Sequence, residues 1–529
     1  MVANAPSLTH ANRHRPGAAD SLAAAHVFYP ESYGAKGDAF LATDVTTNGT
    51  STFTSATIAA NAVVNQYVMI NGGRGTSDTA AIGQITAINT GTNAVTISSP
   101  SLAINASASS LRAICGTDDT SAINSCFSAD ASYATSNDYF CEVQFQATTY
   151  VLATGPTQTN ASPALINSQL PIPYPSNNNG RKLVFGIKGM GRSDHFDYWN
   201  STIPDLAGTA LVSMVTAPST LDATYLVQSV LGSPSGTQGF NQGGTMGATF
   251  VNHKPVIENI QIIMPVYTHM TAFDLTYATG FYMDGCSVMA FAQPLAGGGP
   301  LLNTIWSDAS VFGSRLGHGL RMPQGGNNAD NYVGGFAVEG ITVGVLIGEH
   351  AWMDELKSIY CAVAVKIENN TQGHGLVIGR CTAEAYQGGV LTQTTGLYPI
   401  FVGQWMTENS ATAYDVSDSG GQLRGEFHWA DVVDARGPVI TGAGKLRIVN
   451  DVQGPGAWSG QPSVPASTTN QQNTAWRDAA VSVKGGTVTA VVVDGVTVST
   501  VTNTTVFVPA GKNISITYSA APTWAWTLL

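Results

Sequence analysis

The chain has 529 residues, enough for several domains around one large core, and only 11% of them are charged although 43% are hydrophobic. Its polar surface must come from Thr, Ser, Asn, Gln and 57 Gly, a mixture that favours strands and tight turns over helices. A net charge of −12 without a Lys/Arg run argues against a nucleic-acid partner. No stretch approaches the roughly 20 apolar residues of a membrane span. The N-terminus has no apolar signal-peptide region, so we expect synthesis in a cytoplasm without classical export.

Residues 1–27 are predicted to form an irregular polar arm. Its segment Leu8–Asp20 is similar to an HxxRHxPGGxD segment of phage tail proteins, which implies an arm that attaches the chain to other tail or baseplate proteins. His10 and His14 have the i, i+4 spacing of metal ligands, but Pro16 and Gly17 argue against a helix that would carry them. We therefore expect no metal there.

A motif in two halves follows. The halves Tyr33–Asp38 and Thr117–Thr120 together resemble the YGAKGDG–TDDTxAI motif that opens the pectate-lyase-like right-handed β-helix, a fold of phage tailspikes and polysaccharide-cleaving enzymes. The resemblance implies that 28–43 and 115–139 form the entry and cap of such a helix. Thr117 or Asp118 would be the N-cap of the cap helix. The acids of the motif are then structural and not catalytic.

The insert 44–114 separates these halves. Short alternating runs such as 67–71 and 94–98 are divided by Asn-Gly and Gly-Gly pairs, which are hairpin signals. They predict a small barrel-like β-module. Spacing, trimer contact and sugar binding all remain open as its role.

A repeat predicts the β-helix itself over 140–450. Seven segments begin at residues 258, 284, 308, 334, 357, 379 and 403, with intervals of 26, 24, 26, 23, 22 and 24 residues. A period in the twenties without helical patterning is typical of parallel β-helix coils that bury their inward side chains against one another. Residues 153–180 and 192–245 are predicted to be long loops.

The C-terminal part changes composition. Residues 451–475 are rich in Gly, Pro, Ser and Gln and predict a linker, and 476–529 alternate tightly around the hairpin turn Asp494-Gly495. This last segment resembles a short C-terminal β-module of phage tail proteins, which we expect to be sandwich-like. Trp524 and Trp526 share a face, where a core or subunit-contact role is favoured over sugar stacking.

Three glutamates recur five residues after a coil start: Glu339, Glu384 and Glu408. Because neighbouring coils stack at about 4.8 Å, we expect Glu384 and Glu408 about 5 Å apart and Glu339 about 10 Å from Glu384. The first separation suits the carboxylate pair of a retaining glycosidase, and stacked carboxylates raise one another's proton affinity. The alternative is that all three are solvated acids on an outer face.

Trp352, Asp354, Arg380 and Tyr386 are the candidate substrate-binding residues, with Tyr386 sharing the outward parity of Glu384, whereas Trp405 is expected in the core. A lyase would instead use Lys357, Arg380 and Asp354. A further acidic group, Asp194-His195-Phe196-Asp197, has the composition of a hydrolytic or metal site but is typical of a solvated loop. We expect no cofactor and no metal.

Six scattered cysteines do not form a disulfide framework and are expected to be small buried residues, with a Cys126–Cys141 bridge left open. The resemblances imply a homotrimeric phage tailspike or tail fibre protein, made in the host cytoplasm and carried on the virion. Such a protein binds a bacterial surface polysaccharide during adsorption and, if an enzyme, depolymerises it. A non-catalytic adhesin, a structural spacer and a free polysaccharide lyase are the alternatives.

Overall fold

A computed structural model gives the fold, which is almost entirely β-structure. The structure describes residues 26–73, 80–98, 103–104, 106–137, 141–154, 168–171, 185–191, 208–214, 229–232, 255–265, 271–275, 281–291, 317–322, 331–347, 351–368, 375–384, 388–393, 398–408, 414–418, 422–431, 440–442, 445–450, 462–473, 478–509 and 511–528. The predicted arm up to residue 25, the 194–197 group and Tyr386 lie outside these ranges.

One long parallel sheet runs along the molecule and is built from two successive stretches of each coil. The first face begins with β1 (His26–Phe28), β8 (Cys141–Gln144), β11 (Phe185–Lys188), β14 (Val256–Glu258) and β17 (Tyr282–Asp284). The second face begins with β9 (Thr149–Leu152), β12 (Ala210–Ser213), β15 (Gln261–Pro265) and β18 (Cys286–Phe291).

Later coils merge both stretches into single long strands. These are β20 (Asn331–Glu339), β22 (Ala351–Ile359), β24 (Leu376–Glu384), β26 (Tyr398–Glu408), β28 (Leu423–Asp431) and β30 (Lys445–Asn450). The merger is visible at β20, whose beginning pairs with β17 and whose end pairs with β18. The starts of the long strands therefore continue the first face, and their ends continue the second face.

A separate nine-stranded parallel sheet forms the third face. Its strands are β10 (Ser168–Pro171), β13 (Ser229–Gly232), β16 (Thr271–Asp274), β19 (His318–Arg321), β21 (Val343–Ile347), β23 (Val363–Glu368), β25 (Gly388–Gln393), β27 (Tyr414–Asp418) and β29 (Ile440–Gly442).

The three faces enclose one elongated core. Alternate side chains of each strand point inward, and their apolar residues stack from Val143 through Val288 to Trp405 and Trp429, all buried. In the earlier coils the chain bends between the first two faces at Asn259 and Gly285, whose φ angles are 56° and 61°. The predicted parallel β-helix is confirmed.

Two details of the predicted repeat are wrong. β17 pairs directly with β20, so no coil begins at residue 308 between them, and the segment around 308 lies outside the described residues. Met353 pairs with both Val333 and Ile378, so Asp354, and not Lys357, is the equivalent of residues 334 and 379. Coil lengths therefore vary more than a constant period allows.

A closed six-stranded barrel interrupts the entry to the β-helix, as the insert predicted. Its strands are β2 (Phe40–Asn48), β3 (Thr52–Thr54), β4 (Tyr67–Asn71), β5 (Ala81–Asn89), β6 (Ala94–Ile97) and β7 (Ser107–Gly116), with one short helix, Ala56–Asn61. Apolar side chains of the barrel, including Met69, Ile82 and Ile114, share a buried cluster with Val212 and Ile263 of the second face. The barrel is thus packed on the outside of the β-helix.

The two halves of the opening motif meet below the barrel. The Asp119 carboxylate accepts the backbone N–H groups of Lys36 (2.6 Å) and Gly37 (3.1 Å), and Asp38 accepts the N–H of Thr117 (2.8 Å). The cap helix spans Thr120–Asn137. The Asp118 carboxylate accepts the N–H of Thr120, its first residue, at 3.1 Å, so Asp118, one of the two predicted candidates, caps this end. Through these hydrogen bonds the acids of the motif hold its two halves together where the β-helix begins.

A β-sandwich forms the C-terminal module. One sheet contains β31 (Asn470–Gln472), β33 (Thr487–Val493), β34 (Val496–Ser499) and β36 (Asn513–Ala520), and the other contains β32 (Ala479–Lys484), β35 (Thr504–Val508) and β37 (Thr523–Leu528). Trp526 is buried between the sheets. The Trp524 ring packs on Trp526, and its Nε1 donates to the Pro462 carbonyl at 2.6 Å. Both rings belong to the core of the module.

The six cysteines are all buried and unbridged, including Cys126 and Cys141. Burial raises the pKa of these two thiols to about 12. They act as small hydrophobic residues, as predicted.

Candidate functional site

The three predicted glutamates lie on one column of the second face. Glu339 pairs with Ile359, Ile359 with Glu384, and Glu384 with Glu408. With strands about 4.8 Å apart, the backbones of Glu384 and Glu408 are neighbours, and Glu339 is two strands from Glu384. We call Glu339, Ile359, Glu384 and Glu408 the glutamate column.

Glu339 differs from the solvated acid that was the alternative expectation. Its side chain is 0% exposed, and neither carboxylate oxygen has a hydrogen-bond partner within the described part of the chain. Burial raises its pKa well above the usual range, the negative charge of Glu384 raises it further, and Lys357 on the next strand opposes both. A carboxyl group in this setting favours its neutral form.

Tyr360 interacts with both acids, the buried Glu339 and the half-buried Glu384. Its backbone N–H donates to the Glu384 carbonyl at 2.9 Å, and its ring is 7% exposed. Burial raises the pKa of Tyr360 to about 12, and the charges of Glu384 and Glu339 add to the effect. Its φ of 54° is uncommon for an aromatic residue and marks a tight turn directly after the strand. Glu384 itself is half-buried.

The glutamate column continues an apolar column of the same face. Going towards the N-terminus, Glu339 pairs with Met289, Met289 with Ile263, and Ile263 with Val212. These three apolar residues lie in the cluster beneath the barrel. The column therefore changes from apolar to acidic where the contact with the barrel ends.

Three predicted substrate-binding residues lie elsewhere. Trp352, Asp354 and Arg380 are exposed on the first face, so the structure does not bring them together with the glutamate column. The Arg380 guanidinium lies 3.9 Å from the exposed Glu355 carboxylate. Lys357, a lyase candidate, is on the second face, where its charge acts on Glu339. The side chains of Glu408 and Tyr386 lie outside the described residues.

The first face carries a row of aromatic residues that the sequence interpretation missed. Tyr282 pairs with Tyr332, Tyr332 with Trp352, Trp352 with Val377, and Val377 with Phe401. Three of these rings are more than a third exposed: Tyr282 at 37%, Trp352 at 52% and Phe401 at 44%. The signal was present in the sequence, because Tyr282, Tyr332, Val377 and Phe401 each stand two residues before a predicted coil start. The incorrect start at 357 displaced only Trp352 from this register.

No group of three or more His, Cys, Asp or Glu side chains with the arrangement of a metal site occurs in the described ranges. Within the same ranges, none of the helices combines the length and apolar character needed to span a membrane.

Comparison with known proteins gives distant structural similarities. No family model and no curated protein matches the chain. The A-module of an Azotobacter vinelandii mannuronan C-5 epimerase is 11% identical with a TM-score of 0.24, over 64% of this chain and 93% of that one. The tailspike of Acinetobacter baumannii phage AP22, solved with a capsular saccharide, is 8% identical (TM-score 0.19; 92% and 81% covered). The tailspike of Pseudomonas phage phi297 is 10% identical (TM-score 0.20; 93% and 81% covered).

Proposed function

We propose that this chain is a phage tail protein that binds a bacterial surface polysaccharide and hydrolyses it at the glutamate column. The observation that carries the hydrolytic proposal is the direct pairing of Glu384 with Glu408 on neighbouring strands of the second face, beyond the surface covered by the barrel. Two carboxylates on neighbouring strands are the minimal equipment of a glycosidase. The opening motif, the arm-like N-terminal sequence and the C-terminal module support a place on the virion and a homotrimeric assembly.

The spacing of the pair suits a retaining mechanism. Backbones about 4.8 Å apart fit the roughly 5–5.5 Å between the carboxyl groups of retaining enzymes. One glutamate would protonate the glycosidic oxygen as the bond to the leaving sugar breaks. The other would attack the anomeric carbon to give a glycosyl-enzyme, which water then hydrolyses with the first carboxylate as base. Glu384 and Glu408 are the candidates for these two roles.

Glu339 has a different proposed role. Because its side chain is fully buried, it does not reach a polymer lying on the outer surface. Glu339 is therefore a positioning residue in this proposal, and Trp352, Asp354 and Arg380 would hold polymer on the adjoining first face.

A non-catalytic adhesin is the second candidate function. The exposed aromatic row on the first face favours it, because a binder needs only such a surface and no carboxylate pair. In that case the glutamate column would be a structural feature of the second face.

The deciding experiment uses a panel of purified bacterial capsular and O-polysaccharides. The wild type is incubated with each, and chain length, reducing ends and ultraviolet absorbance of unsaturated uronates are followed. We expect shorter chains with new reducing ends and no absorbance, and a loss of at least about 100-fold in Glu384→Gln and Glu408→Gln. Asp494→Asn, which changes an exposed acid of the C-terminal sandwich, is the control. Absorbance would indicate a lyase, and glycan binding without shortening would indicate an adhesin.

A further inference from the structure

The aromatic row of the first face has the geometry of an extended ligand surface. We define the aromatic column as Tyr282, Tyr332, Trp352, Val377 and Phe401, five residues on successive paired strands. At about 4.8 Å per strand it extends over about 19 Å parallel to the axis of the β-helix. This length suits an oligosaccharide stretch rather than a single sugar.

We propose that the aromatic column is a second glycan-binding surface, separate from the glutamate column and selective for a neutral pyranose chain. This inference rests on the proposed function, since it identifies the sugar class that the protein holds. Aromatic faces pack against the apolar C–H faces of pyranose rings, and exposed aromatic residues supply large contact area at low conformational cost.

The rings are held in place by one another and by one acid. Tyr282 and Tyr332 are stacked, with ring centroids 5.3 Å apart and planes 12° apart. The Asp354 carboxylate accepts a hydrogen bond from the Tyr332 hydroxyl and another from Trp352 Nε1 at 2.6 Å. Its hydrogen bond with Tyr332 is the main reason why the pKa of that phenol rises to about 12. The surface is therefore ordered before a ligand arrives, which lowers the entropic cost of binding.

The charges beside the column select against acidic sugars. Four carboxylates lie on the same or neighbouring registers of the first face: Glu258, Asp284, Asp354 and Glu355. Lys188 is 3.5 Å from Glu258, and Arg380 is 3.9 Å from Glu355, so these two cations already face carboxylates. A uronate carboxylate at Asp354 would meet like charge, whereas sugar hydroxyls would donate to these oxygens.

The rival occupant is a second copy of this chain. Charged residues are depleted at the centres of protein–protein interfaces, and here an exposed carboxylate sits between two rings in the middle of the column. A glycan tolerates that arrangement better, because carbohydrate sites combine aromatic faces with a few placed polar groups.

The test uses an array of bacterial polysaccharides, half with neutral repeats and half containing uronates. We expect wild-type protein to bind neutral members, with affinity reduced about ten-fold or more in Trp352→Ala and in Phe401→Ala. Phe507→Ala, which removes an exposed ring from the C-terminal sandwich, should bind like wild type. Asp354→Asn should shift the preference towards uronates. Glu384→Gln should keep its binding, which separates this surface from the glutamate column.

Three results would overturn the inference. If Trp352→Ala and Phe401→Ala bind as the wild type does, and the wild type binds or cleaves a polysaccharide, the aromatic column is not a glycan-binding surface. The proposed function would still stand. If the wild type binds only polymers that contain uronates, the proposed selectivity for neutral sugars is refuted. A smaller assembly for Trp352→Ala in light scattering would assign the column to a contact between copies. A wild type that neither binds nor shortens any member would instead refute the proposed function.

Discussion

The second face shows the same column of positions in two surroundings. Beneath the barrel it carries Val212, Ile263 and Met289, which pack against barrel side chains. Beyond the barrel the next positions are Glu339, Ile359, Glu384 and Glu408. The fold of the strands does not change between the two regions, so what covers the outer face determines which residues the column holds.

Glu339 marks the boundary between these regions. It pairs with Met289 of the covered region, yet it carries a carboxyl group and is as buried as its apolar neighbours. An unpaired buried acid costs stability and is rarely kept without a use. We interpret it as the first member of the functional part of the column.

The largest effect is expected from placing an acid in the part of the column that the barrel covers. Ile263→Glu places a carboxylate in the apolar contact between the barrel and the β-helix, where it has no compensating partner. We expect the free energy of unfolding to fall by about 3 kcal/mol or more. Urea denaturation measures it. Thr382→Glu, at a half-buried outward position beyond the barrel, is the matched control and should cost less than about 1 kcal/mol.

A second effect concerns the joint that holds the barrel in place. Asp119→Ala removes the acceptor of the Lys36 and Gly37 N–H groups, which join the two halves of the motif on either side of the barrel. We expect a loss of about 2–3 kcal/mol, because buried donors are left unsatisfied. Lys512→Ala breaks only an exposed ion pair with Asp494 and should cost less than about 1 kcal/mol. Equal losses of stability in the two variants would contradict the role of Asp119 in joining the two halves of the motif.

The smallest effect is the pH dependence due to Glu339. Because burial raises its folded-state pKa above the unfolded value, the native state holds the proton more tightly. Stability from this group is fully present below the unfolded pKa and is lost as pH rises through the folded pKa. Glu339→Gln should therefore match wild type near pH 4 and exceed it on the order of 1 kcal/mol at neutral or higher pH.

Denaturation series at several pH values check this dependence. Glu355→Gln, half-exposed on the first face, should track wild type throughout. If the advantage of Glu339→Gln is the same at every pH, the side chain does not ionise in the way its burial requires.

Much of this architecture could be predicted from sequence, and the failures have physical causes. The opening motif and the alternating runs predicted the β-helix and the barrel because both depend on local patterns. The coil at 308 failed because the connection between Asp284 and Gly334 is about twice the predicted period while the strands still pair directly. The start at 357 was misplaced because the coil from Asn331 to Ala351 has only 20 residues, fewer than the predicted period.

The candidate site was predictable only in part. The register of Glu339, Glu384 and Glu408 followed from coil spacing, since a residue count along neighbouring strands fixes which backbones pair. The burial of Glu339 did not follow, because it depends on what packs on the outer face. Trp352 and Asp354 were assigned to the same site as the glutamates, but the bend between the first and second faces separates them.

The most direct measurement is the anomeric configuration of the first sugar released, followed by proton NMR on a polysaccharide that the wild type shortens. A pair on neighbouring strands, Glu384 with Glu408, predicts retention of configuration. Inversion would contradict the account, because it needs carboxyl groups roughly 6.5–9.5 Å apart, which is farther than neighbouring strands about 4.8 Å apart place them.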